Sequence, residues 1–232
     1  GDSSAANVPG GQASGGAIAT GNGNLASLQR NKFFENSATG GHGGPDAGGG
    51  IASGGAISVS GGAALTLERN RIRGNRADGG DGAGTGANAT GRGGGLALES
   101  IGVDGFLPGT PTAASSRDRF EQNTALGGIG GGIYNEGELS LDKARVTDNE
   151  AVGQAGVLID FVLGYEFQGG ALGGGVSSLG PVEVVDSLFE DNVAVGADGG
   201  SGGNVIALGE TPSYPGLGVG GGLHTLLEAT VE

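Results

Sequence analysis

The sequence contains no cysteine, methionine or tryptophan in its 232 residues. The absence of cysteine excludes a disulfide framework, a thiolate metal site and a cysteine nucleophile. No run of 18 apolar residues is present, so the sequence predicts no segment that spans a membrane. We therefore expect stability to come from stacking of the backbone and from ordinary apolar contacts.

Basic residues are also scarce. The chain has 11 Lys and Arg residues against 25 Asp and Glu residues, and its formal net charge is −14. This balance argues against general nucleic-acid binding, in which Lys and Arg neutralise phosphates. Acidity favours solubility and, together with the lack of cysteine and the repeats described below, indicates an extracellular or cell-surface protein.

Glycine is abundant, with 57 residues. Collagen would need glycine at every third position, and a flexible linker would lack the recurring Leu, Ile and Phe residues. Glycine is therefore expected at the corners of a tightly wound chain.

One phrase recurs five times: an apolar residue, an asparagine three positions later, and an alanine two positions after that. The spacings between the asparagines are 39, 48, 26 and 43 residues, which indicates a solenoid with a shortest coil of 26 residues. The asparagines are Asn36, Asn75, Asn123, Asn149 and Asn192, and the apolar residues are Phe33, Ile72, Phe120, Val146 and Phe189. We expect these two columns to form a structural ladder, with an amide stack at a corner and an apolar stack inside.

The shortest coil shows the fold most plainly. Gly130 to Gly132 form a turn, and Leu139 and Leu141 alternate with polar residues as in a half-buried strand. Since no helical periodicity appears, the sequence predicts an all-β parallel β-helix with long Gly-rich loops. We expect a single domain over residues 1–232, with six to seven coils and no separate cap domain.

Short motifs also carry a family resemblance. Gly15 to Ile18 and Gly54 to Ile57 match GGAI, while 33–36, 120–123 and 189–192 match FxxN. With these motifs the chain resembles the right-handed parallel β-helix passenger domains of polymorphic outer-membrane-protein-type adhesins, which have a pectin-lyase-like fold. The resemblance implies a surface-exposed, adhesive and self-associating protein.

Basic residues form two columns counted back from the asparagines. Six positions before the asparagine stand Arg30, Arg69, Arg117 and Lys143, and four positions before it stand Lys32, Arg71, Arg119 and Arg145. Alternation with the apolar position predicts that both columns point outward. Nearby carboxylates suggest a surface that neutralises itself, and the alternative is a docking strip for an acidic glycan or for a neighbouring molecule or host cell surface.

Neither end of the chain shows a cap. We expect the open ends to join head to tail into a filament, and the candidate residues for self-association are Ser3, Ala5, Leu226, Leu227, Val231, Val157 and Phe161. The alternatives are a fragment of a longer surface adhesin, or a monomer capped by its loops. The apolar loop containing Val157 and Phe161 is either a local lid or a partner surface.

Evidence for catalysis is weak, and we predict neither an enzyme nor a bound cofactor. Asp148 and Asp191 are the best candidate carboxylate pair for a polysaccharide lyase or hydrolase, which is the alternative to a structural role. Asp78, Asp81 and Asp198 lie in Gly-rich turns and are weak candidates for Ca²⁺. His42 and His224 are isolated, and Asn88 begins a glycosylation sequon.

Overall fold

The protein consists of short, mostly parallel β-strands, as seen in a computed structural model. The structure describes residues 7–83, 87–100, 109–154, 158–160, 166–197, 205–206, 218–225 and 229–231. Within these ranges there is no helix, and each strand contains two to five residues. The prediction of an all-β chain with stacked parallel sheets is confirmed, and the arrangement is consistent with a parallel β-helix.

Each full coil passes through five sheets, which we call A to E in the order in which the chain meets them. The first coil contains β1 (Ala13–Ser14), β2 (Ile18–Thr20), β3 (Leu25–Gln29), β4 (Lys32–Phe34) and β5 (Ser37–Thr39). The second contains β6 (Ala52–Ser53), β7 (Ile57–Ser60), β8 (Ala64–Glu68), β9 (Arg71–Arg73) and β10 (Arg76–Asp78). The third contains β11 (Gly91–Arg92), β12 (Leu96–Glu99), β13 (Thr112–Ser116), β14 (Arg119–Glu121) and β15 (Thr124–Leu126).

The later coils continue this path. The fourth contains β16 (Ile133–Asn135), β17 (Glu138–Asp142), β18 (Arg145–Thr147) and β19 (Glu150–Val152), with a bridge at Ile129 in place of a sheet A strand. β20 (Leu158–Asp160) and β21 (Glu166–Gln168) follow. The fifth coil contains β22 (Ala171–Leu172), β23 (Val176–Ser178), β24 (Val182–Val185), β25 (Leu188–Glu190) and β26 (Val193–Val195). After β27 (Val205–Ile206), the sixth contains β28 (Gly218–Val219), β29 (Leu223–Thr225) and β30 (Ala229–Val231).

The register places like positions of successive coils above one another. In sheet D, Phe33 pairs with Ile72, Ile72 with Phe120, Phe120 with Val146, and Val146 with Phe189. Inward-facing residues of sheets B, C and D together form the main core, which includes Ile57, Leu65, Ile72, Leu96, Leu98, Phe120, Ile133, Leu141, Val146 and Val176. Apolar residues at one position in every coil thus become a continuous apolar column.

Sheets E and A pack too closely for large side chains. Ala38, Ala52 and Ala77 form a small separate cluster between them. A Cβ on Gly91 would lie only 2.3 Å from the carbonyl oxygens of Ala77 and Leu126. This close approach of two backbones explains the alanine that follows each ladder asparagine.

The longer connections between strands lie mostly between sheet E of one coil and sheet A of the next. The connections from sheet E to sheet A include residues 40–51, 79–90, 153–170 and 196–217, whereas residues 100–111 connect sheets B and C. β21 pairs antiparallel with both β20 and β27, so two of these insertions share a small sheet. In the described part of the chain, no helix has the length and hydropathy needed to span a bilayer.

Candidate functional site: ladder corners, end faces and a buried charged corner

The corner before each ladder asparagine has a left-handed backbone. Its residues have φ between 52° and 65° and are Glu35, Gly74, Gln122, Asp148 and Asp191. β-branched side chains are strongly disfavoured in this conformation, whereas glycine and some unbranched polar residues are accepted. Asp148 and Asp191, the candidate carboxylate pair, therefore occupy positions where the backbone itself restricts the choice of residue.

The ladder asparagines bond to both neighbouring coils. Asn75 Nδ2 donates to the carbonyl oxygen of Phe33 at 3.0 Å and to Asn123 Oδ1 at 2.9 Å. The backbone N–H of Asn75 also donates to Asn123 Oδ1, at 3.1 Å. The same pattern recurs at Asn123 and Asn149, and all three side chains are buried. The column therefore satisfies buried polar groups that the corner would otherwise leave unpaired.

A second ladder, which the sequence analysis missed, lies at the corner between sheets C and D. The backbone N–H of Asn31 donates to Asn70 Oδ1 at 2.8 Å, and Asn70 donates to Asp118 Oδ1 from its backbone at 2.6 Å and from Nδ2 at 2.9 Å. Ser187 Oγ accepts from the backbone of Ala144 at 3.0 Å. The residues of this second ladder stand five positions before the ladder asparagines, so counting back from those asparagines in the sequence would have identified them.

The first basic column also occupies a left-handed corner. Arg30, Arg69, Arg117 and Lys143 have φ between 51° and 58°, and Asp186 continues the column with φ 48°. The expected strand alternation therefore applies only to the second column, where Lys32, Arg71, Arg119, Arg145 and Leu188 pair in register. We call the two basic columns together the basic stripe. In its first column, the left-handed backbone itself restricts which residues can occupy the position.

Carboxylates lie beside much of the stripe. Arg71 Nη2 is 2.8 Å from Glu121 Oε2, and its Nε donates to the same oxygen at 2.8 Å. Lys143 lies 3.1 Å from Asp142 and 3.4 Å from Asp186, and Arg69 lies 2.9 Å from Glu68. Within the described residues, Arg30 and Lys32 of the first coil have no such ion pair.

The calcium candidates Asp78 and Asp81 each have another partner. Asp78 accepts from Arg76 at 2.9 Å, while Asp81 lies 3.4 Å from His42 and accepts from Gln154 at 3.1 Å. Among the described residues no group of three or more metal-ligating side chains occurs. Asp198 lies outside the described residues, as do the self-association candidates Ser3, Ala5, Val157, Phe161, Leu226 and Leu227.

The outer face of sheet C contains a shallow groove of about 460 Å³. Small and hydroxyl side chains cover much of its floor, including Thr66, Ala114 and Ser140, with Glu138 and Glu183 beside them. Its described lining has no basic side chain, so this groove does not complement an acidic glycan.

A different polar cluster lies where sheets A and B meet. Glu99, at the end of β12, accepts through Oε1 from Ser53 Oγ at 2.6 Å and from Arg92 Nη1 at 3.2 Å. Arg92 Nη1 is also 3.8 Å from Glu136 Oε1, and its guanidinium lies 5.4 Å from the centre of the Tyr134 ring. Tyr134 Oη donates to Glu136 Oε1. We call Ser53, Arg92, Glu99, Tyr134 and Glu136 the charged corner.

Burial dominates the electrostatics of the charged corner. Glu99 is 2% exposed, and its Oε2 has no hydrogen-bond partner within the described residues. Burial raises the pKa of Glu99; Arg92 and Ser53 oppose this shift, and the charge of Glu136 adds to it. Burial likewise raises the pKa of Tyr134 well above its ordinary value, which keeps its hydroxyl available as a donor.

The chain matches no protein-family model, no curated protein and no solved structure at a significant level. Membership of the adhesin passenger family therefore stays a prediction from the motifs. The same holds for the interpretation of GGAI and FxxN as the repeats of that family.

Proposed function

We propose that this protein is an extracellular structural or adhesive protein, a right-handed parallel β-helix of the adhesin passenger type that assembles head to tail into a filament. The observation that carries the proposal is that core-facing apolar residues of the first and last coils are incompletely buried, whereas their counterparts in the middle coils are buried. Right-handedness is supported by the strong preference of parallel crossover connections for that hand.

Both end faces leave core positions uncovered. Among the described residues, Val231 is the exposed large hydrophobic residue that continues an inward-facing column. The other exposed ones lie before the first strand or on outward-facing positions of the first and fifth coils, and are Val8, Leu25, Phe34, Leu188, Val193 and Val195. Val231 is 67% exposed although it continues the column of Val184, which is 2% exposed. At the other end Ile18, Ala26 and Leu28 pack against the core but are only partly buried. Stacking another coil on the respective face would bury Val231 at one end and Ile18, Ala26 and Leu28 at the other.

The ladder gives the stack a direction. Each ladder asparagine donates its backbone N–H to the Oδ1 atom of the next coil. Within the described residues, Asn36 Oδ1 therefore lacks a donor at one end and the backbone N–H of Asn192 lacks an acceptor at the other. A contact between two like ends would bring together like groups, so the ladder favours joining unlike ends.

Charge supports the same orientation. Arg30 and Lys32 lie in the first coil, whereas Asp186, Glu190 and Asp191 lie in the fifth. The pair formed by Lys143 and Asp186 at 3.4 Å shows how this column neutralises charge between adjacent coils. An assembly of unlike ends would bring the basic end of one copy toward the acidic end of the next.

Electron microscopy and sedimentation velocity of the purified chain test the proposal. Fibres with an axial repeat near 30 Å are expected, from six coils at about 4.8 Å each. Val231→Lys should shorten or abolish the fibres by placing a charge on the end face, whereas Thr66→Lys, on the exposed side of sheet C, should leave them intact. Monomeric wild-type rods over the full concentration range would overturn the assembly.

Glycan binding or polysaccharide processing stays the alternative prediction. Incubation with acidic polysaccharides tests it directly, because shortened polysaccharide products would show an enzyme and retained binding alone would show a glycan-binding module. Neither outcome depends on whether fibres form.

A further inference from the structure

The charged corner joins three successive coils through polar and charged side chains. Ser53 lies on β6, Arg92 and Glu99 lie on β11 and β12, and Tyr134 and Glu136 lie on and just after β16. The hydrogen bond from Ser53 links the second coil to the third, while the contacts of Arg92 with Tyr134 and Glu136 link the third to the fourth. The state of this corner is therefore coupled to the integrity of the middle of the rod.

Its charges do not balance if every group is ionised. Arg92 is one cation that lies between two carboxylates, at 3.2 Å from Glu99 and 3.8 Å from Glu136. Glu99 and Glu136 are neighbours in adjacent coils, because Leu98 pairs with Asn135 in the register of sheet B. A buried net negative charge is costly, whereas one neutral carboxyl would leave Arg92 and the other carboxylate as a balanced pair.

Hydrogen bonding distinguishes the two carboxyl groups. Glu136 accepts from Tyr134 through Oε1, and from the N–H and hydroxyl groups of Ser100 through Oε2 at 3.1 and 3.2 Å. Glu99 uses only Oε1, and its Oε2 has no partner among the described residues. Donors on both oxygens stabilise an ionised carboxylate, so the arrangement favours the charge on Glu136.

We propose that Glu99 is a proton-binding site, neutral with the proton on Oε2 in the folded rod, and that its ionisation at higher pH weakens the stack. Glu99 is 2% exposed, which leaves no surface for a macromolecule to contact, whereas a proton can bind the unpartnered Oε2 atom. Among the described residues, the titratable and charged groups that face Glu99 are Arg92 from β11, Tyr134 from β16 and Glu136 after β16.

The sign of the pH dependence follows from this assignment. The raised pKa of Glu99 in the folded chain means that its contribution to stability is complete below the unfolded value of about 4.5. That contribution is lost as pH rises from there through the folded pKa. Glu99→Gln keeps the shape and an acceptor oxygen but cannot ionise, so its stability relative to the wild type should increase as pH rises.

Carbon-13 NMR titration of the glutamate side-chain carboxyl groups of the full chain measures the protonation directly. Glu99 is expected to titrate clearly above the ordinary glutamate range, and Glu136→Gln should lower its pKa by removing a neighbouring negative charge. A normal or lowered pKa of Glu99 in the wild type would overturn the proposal, even if Glu99→Gln did not fold.

Denaturation measurements at several pH values provide a second test of the proposed protonation of Glu99. The difference in denaturation midpoint between wild type and Glu99→Gln should widen from pH 5 to pH 8, while Glu138→Gln, at the exposed outer face of sheet C, should show no comparable trend. A pH-independent difference for Glu99→Gln would also contradict the proposal.

Discussion

Asn75 Nδ2 donates to Asn123 Oδ1 at 2.9 Å, although 48 residues separate the two asparagines in the sequence. The same amide group reaches back to the carbonyl oxygen of Phe33, so one side chain bonds to two other coils. Because this amide group is buried, water does not replace its hydrogen bonds when the side chain is removed. We therefore expect the ladder to contribute to the stability of the fold and not only to its surface.

Asn123→Ala should be among the most destabilising single substitutions in the chain. Asn123 is fully buried, and its loss removes the acceptor of the Asn75 backbone N–H and of one Nδ2 hydrogen of Asn75, together with the side-chain donor to the Ile72 carbonyl oxygen. We expect a loss of about 3 to 5 kcal/mol in the free energy of unfolding, from several orphaned groups. Asn36→Ala, at the partly exposed first coil, should cost only about 1 kcal/mol. Denaturant unfolding of both variants measures the contrast, and equal losses would contradict a role set by burial.

Gly94→Ala should destabilise by steric overlap. Its Cβ would lie 2.4 Å from the Gly131 carbonyl oxygen and 2.5 Å from the Thr124 nitrogen, and both of these are backbone atoms that cannot rotate away. We expect a cost of about 3 kcal/mol or more. The matched variant is Gly23→Ala, which has a φ of 69° but no atom within 4 Å of the added Cβ, so it should cost about 1 kcal/mol from backbone strain alone. Thermal unfolding compares the two variants, and a milder effect at Gly94 would show that the two backbones can separate.

The sequence allowed prediction of the sheets and the main ladder because one residue type repeats there. Asn36, Asn75, Asn123, Asn149 and Asn192 are identical, so insertions of different length do not hide them. The second ladder uses Asn70, Asp118 and Ser187 for one task, and this chemical variety concealed it.

The charged corner could not be predicted in the same way. The residue types of this corner are not repeated at the equivalent positions throughout the coils, so no periodic pattern in the sequence marks them. The residues are Arg92, Glu99, Tyr134 and Glu136. Their contacts depend on the register of sheets A and B, which brings together residues of three coils. Composition and spacing do not contain that information.

Asp118→Asn tests the buried acid of the second ladder. Asp118 is fully buried and accepts from Asn70 and from Ser115 Oγ at 2.7 Å, and burial raises its pKa above the ordinary value of 3.8 despite these bonds. Its contribution to stability is therefore complete below that value and is lost as pH rises through the folded pKa. Asparagine already occupies this position at Asn31 and Asn70, so Asp118→Asn should gain stability relative to wild type as pH increases.

Asp142→Asn is the control with the opposite sign. Hydrogen bonds from Lys143 and Ser116 lower the pKa of the partly exposed Asp142, so its contribution is present above the ordinary pKa and is lost as pH falls through the lowered value. Denaturation of both variants across pH 3 to 8 should give trends in opposite directions. Parallel trends would show that general charge repulsion, and not the local environment, controls the pH dependence.

Arg71 and Arg119 test whether the basic stripe is a docking strip. Arg71 is 2.8 Å and Arg119 is 3.8 Å from Glu121, so this carboxylate already offsets part of their charge. Arg71→Gln should cost less than about 1 kcal/mol, as is typical of partly exposed ion pairs. We expect Arg71→Gln/Arg119→Gln to bind an acidic polysaccharide as the wild type does in isothermal titration calorimetry. The matched variant Arg30→Gln/Lys32→Gln removes two first-coil charges that lack such ion pairs within the described chain. If the Arg71 and Arg119 variant alone lost binding, the stripe would be a recognition surface despite its neighbouring carboxylates.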